Sequence, residues 1–225
     1  MDSNILKSGY DLVVYDLGAS KVQKAVEQWP NTTDFRANTS AFKDCEVVIT
    51  MLPQGKIVRE VLLGKDNIAS GLQPGAIIVD TSSSSPFDTQ ELGKELAKRQ
   101  LRLVDAPIEQ TYMHAADAGE NTLMVGSDCK EVFEKVEPIL RCMAGYIFYM
   151  GRLGNGHAMK TLNNYIMASS ICALSDSLFK GQKYGLDPQQ MIDELNVDTG
   201  VCFPSLDTFR SNGVTGRCNS GFDMA

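Results

Sequence analysis

A lysine and an asparagine four residues apart, Lys160 and Asn164, follow the glycine-rich turn Gly151-Arg152-Leu153-Gly154-Asn155-Gly156. On a helix that spacing puts both side chains on one face. The pair joins an ammonium donor to an amide that both donates and accepts. Ala158, Met159 and Leu162 are apolar neighbours that partly desolvate the ammonium. A lysine so placed suits a general acid or base that trades a proton with a substrate oxygen. A lone helical lysine more commonly snorkels to the surface. Here the glycine turn, the amide partner and a change of pattern along the chain favour chemistry.

Three other segments could hold a ligand. Asp16 directly follows the run Asp11–Tyr15, and an acid at the carboxyl end of a strand can accept hydrogen bonds from ribose hydroxyls. It would repel a 2′-phosphate. Equally, it could serve only the turn before Gly18. Met51-Leu52-Pro53 follows the apolar run Glu46–Met51, and Pro53 turns the backbone there. Asp80-Thr81-Ser82-Ser83-Ser84-Ser85-Pro86 gathers hydroxyls where a strand meets a helix. Ser85 is the expected cap with Pro86 in the first turn, and Ser83 is a candidate cofactor contact.

The elements that must position these residues alternate. Strands are expected at Asp11–Tyr15, Glu46–Met51, Ala76–Asp80, Leu101–Asp105, Thr122–Val125 and Tyr146–Tyr149. The nearly continuous apolar Glu46–Met51 run suggests burial on both faces. Helices are expected at Ser20–Gln28 with Ser20 as cap, Lys56–Leu63, Pro86–Arg99 and Lys130–Cys142. This alternation predicts a largely parallel sheet with helices on both faces. From His157 to Tyr184 the period is helical for about seven turns. Asp187 is placed to cap a helix at Pro188–Leu195, and Ser205–Arg210 reads as a short further helix. No strand signal follows Tyr149. The boundary is expected near residue 153, with an α/β domain at 1–152 and an all-helical one at 153–225. Met1–Gly9 has the period of a helix leading straight into a strand, and Asn219–Ala225 stops in mid-pattern. Both ends therefore suggest missing elements.

Bulk properties narrow the function. The chain of 225 residues has 43% hydrophobic and 22% charged residues, an ordinary globular balance. Lys plus Arg is 21 against 28 Asp plus Glu, a formal charge of −7. Such a chain, without basic runs, is a poor nucleic-acid binder. No apolar run reaches the ~20 residues of a spanning helix. Six cysteines form no C-x-x-C pair and there are two histidines, so no metal site is expected. Reduced thiols in the cytosol or an organelle are the expectation.

Taken in order, these segments resemble the β-hydroxyacid dehydrogenases, the family of 3-hydroxyisobutyrate dehydrogenase and tartronate semialdehyde reductase. Val48–Pro53 resembles a cofactor-contacting Leu-Pro turn, so Leu52 and Pro53 are implied contacts. Asp80–Pro86 resembles an Asp-x-Ser-Thr-x-x-Pro segment, with Ser83 at the usual threonine. Asp105-Ala106-Pro107-Ile108 resembles the start of the substrate motif, and Gly151–Asn164 the catalytic helix. The resemblance implies a Rossmann-type doubly wound sheet lacking its first strand, followed by an all-helical domain. It implies NAD, with NADP less favoured, a small hydroxyacid partner, Lys160 as catalytic group, Asn164 as substrate contact, and a homo-oligomer in full-length form. Three departures stand out. The glycine loop and the strand before it have no counterpart in this sequence. The family's Ser-Gly-Gly is replaced by Glu109-Gln110-Thr111. These are implied substrate contacts, but Glu109 would repel an acid unless it turned away or met a cation. The family's later helices, which carry a second lysine, have no counterpart past Ala225. The alternatives are a non-catalytic binding member of the family and, more weakly, an imine-acting reductase.

Overall fold

The computed structural model describes residues 2–35, 39–65, 67–109 and 121–213. They fall into two compact units, Met1–Lys160 and Thr161–Ala225.

At the centre of the first unit lie three parallel strands, β3 (Val47–Thr50), β4 (Ile77–Asp80) and β5 (Arg102–Asp105), in that order. Their side chains alternate between two faces. Ile78 joins a cluster with Val58 and Leu62 of α3 (Gly55–Leu63) and Leu92 and Leu96 of α4 (Pro86–Ala97). Ile77 and Val79 face the other way. They pack with Ile5 of α1 (Asp2–Lys7) and with Phe133, Val136 and Leu140 of α5 (Lys130–Arg141). Helices thus cover both faces, as the alternation predicts. Each fully buried leucine here contributes roughly 1.5–3 kcal/mol of transfer free energy.

Two further sheets, of two and three strands, complete this unit. β1 (Leu12–Val14) pairs in parallel with β2 (Thr32–Asp34), linked by α2 (Ala19–Gln28). β7 (Asn121–Val125) lies between β6 (Ile108–Glu109), antiparallel to it, and β8 (Ala144–Tyr149), parallel to it. The fold class is as expected: α/β with parallel strands, then helices.

Several details differ from expectation. Ser20 does not cap α2. The cap position is Gly18, and Asp16 Oδ1 instead accepts from the Gly18 amide at 2.6 Å. β3 is covered on both faces as expected, with Val48 in one cluster and Val47 and Ile49 against the other. β4, the middle strand with a neighbour on each edge, is the one buried at every residue. β2 and β6 carried no sequence signal because three and two residues are too few to show a period.

The second unit continues α6, a 29-residue helix that starts in the first unit (Asn155–Lys183). It is followed by α7 (Pro188–Leu195) and a π-helical stretch, Pro204–Gly213. As expected, Asp187 caps α7, its Oδ1 accepting from the Gln190 amide at 2.9 Å. The expected helix at Ser205–Arg210 lies within the π-helical stretch. Leu174, Leu178 and Ile192 form the core. Among the described residues no helix is long and apolar enough to cross a membrane, and no three metal-ligating side chains cluster.

Candidate active site

Parallel pairing sets Thr50 against Asp80 and Asp80 against Asp105, so the last residues of β3, β4 and β5 lie in one row. In open α/β sheets ligands bind outside such carboxyl ends. Both aspartates are almost wholly buried, so each must be hydrogen-bonded. Asp80 Oδ1 accepts from Thr50 Oγ1 at 2.9 Å and the Ser82 amide at 3.0 Å, and its Oδ2 accepts from Ser84 Oγ at 3.2 Å. The Asp80–Ser84 turn is thereby fixed by the acid that ends the strand before it.

Asp105 does the same for α6. Its Oδ1 accepts from the Gly154 amide at 2.7 Å and its Oδ2 from the His157 amide at 2.8 Å. A helix leaves its first amides without internal partners, and its positive end favours an anion. One carboxylate therefore ties the first turn of α6 to the end of β5. Burial raises the Asp105 carboxyl above the usual range, outweighing the nearby His157 and the two amides.

His157 completes the junction. Its ring is buried, with Nε2 3.0 Å from the Ser82 carbonyl and Nδ1 2.8 Å from Thr89 Oγ1. A carbonyl only accepts, so Nε2 carries a proton. The ring nitrogens also lie 3.9 Å from Asp80 Oδ2 and 3.7 Å from Asp105 Oδ2. The imidazole thus links the ends of β4 and β5 to the start of α4.

Glycines make this close approach feasible. A Cβ at Gly156 would stand 2.1 Å from the Met124 carbonyl oxygen and 2.8 Å from Asp105 Oδ2. Gly154 has φ +89°, which side chains rarely adopt, and a Cβ there would meet the Pro86 carbonyl at 2.8 Å.

Lys160 follows His157 by three residues. Its side chain is only 14% exposed, and its Nζ forms an ion pair with Glu109 Oε2. Glu109 ends β6, and its side chain is 31% exposed. Gln110 and Thr111 lie outside the described residues. Asn164 is one turn farther along α6, exposed, in the second unit.

On the cofactor side, Asp16 sits just past β1, 44% exposed, with Lys21 Nζ 3.7 Å from its Oδ2. The Leu52 amide donates to Ser82 Oγ at 2.9 Å, which locks the Leu52-Pro53 turn to the serine turn. Pro53 and Ser83 are exposed. Fold and hydrogen bonds therefore bring together Leu52 with Ser82, and Glu109 with Lys160. Sequence reasoning gave no role to Thr50, Thr89 and His157, and it named Asp80 and Asp105 within motifs without their anchoring role. A signal existed for the two acids, since two expected strands, AIIVD and LRLVD, both end in aspartate.

A family profile described as the NAD binding domain of 6-phosphogluconate dehydrogenase matches residues 1–151. A second, described as the NAD-binding of NADP-dependent 3-hydroxyisobutyrate dehydrogenase, matches residues 154–225. The chain belongs to the β-hydroxyacid dehydrogenase family. Among family relatives, 2-(hydroxymethyl)glutarate dehydrogenase of Eubacterium barkeri is 31% identical over 100% of this chain and 73% of its own. The bovine mitochondrial 3-hydroxyisobutyrate dehydrogenase is 30% identical over 93% of this chain. This chain spans 61% of that relative's length. Among solved structures, Mycobacterium tuberculosis 3-hydroxyisobutyrate dehydrogenase with L-serine gives a TM-score of 0.83. Its sequence identity is 26%, with 94% of this chain and 70% of that one covered.

The residues present fit a dinucleotide. An accessible carboxylate (Asp16), a hydrogen-bonded Leu-Pro turn and an exposed serine hydroxyl (Ser83) all follow strands at their carboxyl ends.

Proposed function

We propose that this protein transfers a hydride between a nicotinamide dinucleotide and a small β-hydroxyacid, with Lys160 as the proton-transfer group. The observation that carries this reading is the mostly buried Lys160 ammonium, held in the early turns of a helix that Asp105 pins to the sheet's carboxyl edge.

The bound nicotinamide supplies or takes the hydride. The chain's own residues do the rest. During reduction, Lys160 Nζ donates a proton to the carbonyl oxygen as negative charge develops there. During oxidation the same nitrogen receives it. Asn164, one turn on, is the second contact to the substrate. Leu52, Pro53 and Ser83 line the cofactor side, and Gln110 and Thr111 join Glu109 on the substrate side. Residues 1–152 form the cofactor-binding domain and residues 153–225 the helical domain. Asp16 favours NAD over NADP, because its carboxylate accepts from ribose hydroxyls and repels a 2′-phosphate.

The test is Lys160→Ala. General acid–base groups contribute about 10²–10⁴ in rate, so turnover of hydroxyacids should fall by that order. Affinity for NADH, measured by fluorescence titration, should stay within about twofold, since the lysine serves the substrate. Turnover retained in the variant would refute the role.

A further inference from the structure

We infer that His157 is a positioning residue for the reaction: its buried ring fixes the spacing between the serine turn on the cofactor side and Lys160. This rests on the reading of Lys160 as the proton-transfer group and of Leu52 and Ser83 as cofactor contacts.

The ring is held from two sides. Its side chain is wholly buried, with Nε2 at 3.0 Å from the Ser82 carbonyl and Nδ1 at 2.8 Å from Thr89 Oγ1. Swinging it away would strip buried polar groups of a partner, at the cost of their desolvation.

On the cofactor side the ring sets the serine turn. The Ser82 carbonyl and the Ser83 amide belong to one planar peptide, so the bond from Nε2 fixes the plane from which Ser83 departs. Ser82 also holds Leu52, whose amide donates to Ser82 Oγ at 2.9 Å. Both cofactor contacts therefore reach the imidazole through Ser82. On the other side the ring sets the helix. Residues three apart on a helix share a face, so a ring fixed at His157 fixes the rotation of α6 at Lys160. The bonds from the Gly154 and His157 amides to Asp105 anchor the start of this helix to β5. The imidazole ties it instead to the turn that follows β4.

This spacing matters because a hydride and a proton must reach the two ends of one carbonyl. The hydride leaves a group resting on the serine turn, and the proton leaves Lys160. A misplacement of about 1 Å between such groups costs about 10²-fold in rate.

The experiment uses the full chain and the variants His157→Leu, His157→Gln and Thr89→Val. A glutamine amide can donate to the Ser82 carbonyl while its oxygen accepts from the Thr89 hydroxyl. With three- and four-carbon β-hydroxyacids, kcat of His157→Leu should fall by about 10²-fold. KM and NADH affinity should stay within about threefold, since the contacts remain and only their spacing is lost. His157→Gln should return to within about tenfold of wild type, an effect that a loss of packing alone would not give. Thr89→Val keeps the side-chain shape and removes Oγ1. Its kcat should fall about tenfold, and it carries the test if His157→Leu does not fold. Unchanged kcat in these variants, a loss confined to KM or cofactor affinity, or a glutamine variant no better than the leucine one overturns the inference.

A second readout needs no turnover. In protein labelled at histidine, the His157 imidazole N–H resonance is identified by its absence from His157→Gln. Saturating NADH should shift it, because the cofactor touches the turn that the ring holds. An unmoved resonance overturns the inference. A shift in a wild type that turns over none of these acids sinks the hydride-transfer reading and leaves the bridge from cofactor turn to helix standing. Turnover indifferent to His157 and Thr89 does the reverse.

Discussion

At the scale of single residues, the site depends on two buried aspartates that do no chemistry on substrate in this reading. Asp105 is the more exacting, because its carboxylate accepts from two amides of α6 while wholly buried. Burial raises its carboxyl above the ordinary range. Folding therefore favours the protonated form. The stability this contributes is complete below about pH 4, the unfolded value, and is lost as pH rises through the higher folded value. Asp105→Asn cannot ionise and removes that part of the pH dependence. The stability of wild type minus variant, from urea titrations between about pH 4 and 8, should fall as pH rises. A difference that stays flat or grows would show that the two amides and His157 outweigh burial after all. The ion pair of Lys160 with Glu109 belongs to this scale too. A sequence reader sees a lysine on one helix and, 51 residues earlier, an acid that breaks a motif. Only the antiparallel turn of β6 against β7 makes them partners.

At the scale of elements, the decisive feature is how closely the start of α6 approaches the sheet. Gly156 lies against the Met124 carbonyl, and Gly126 against both Asp105 Oδ1 and the Arg152 carbonyl, where Cβ atoms would stand at 2.3 and 2.7 Å. These contacts are with backbone and with a buried acid, which cannot swing aside. Gly156→Ala should therefore cost about 1–3 kcal/mol, the range of overpacking a filled interior. Because the helix would have to lift off β5 and β7, turnover should fall by more than cofactor affinity does. Denaturant unfolding and steady-state kinetics on the same preparation check both. A loss under about 0.5 kcal/mol would mean that the glycine is not set by space. The glycines were visible in the sequence as a turn signal. Their partners were not, because Met124 and Asp105 come from strands far away along the chain.

At the scale of the whole molecule, the two units differ in how much core they hold. The first unit has two clusters, one on each face of its central sheet, whereas the second is built on Leu174, Leu178 and Ile192. Local stability follows buried apolar contact. Amides of α7 should exchange with solvent at least tenfold faster than those of β4 and β5, as read by native-state hydrogen exchange. Equal protection would show that the units unfold as one. Along α6, Leu162, Tyr165, Ile166 and Phe179 are each more than half exposed. The helical period there was legible, yet the period alone does not say which residues are covered.

What the sequence determined by itself was local. Runs of Val and Ile bounded by polar turns gave the strands, a 3.6-residue period gave the helices, and Asp187 and Ser85 fitted their cap positions. The family followed from segments taken in order. The tertiary structure decided what depends on distance in the chain. Parallel register put Thr50, Asp80 and Asp105 in one row, and burial turned the two acids into anchors. It also corrected the cap of α2. Periodicity is a property of neighbours, but a carboxylate's partner is fixed by packing, which no window of ten residues contains.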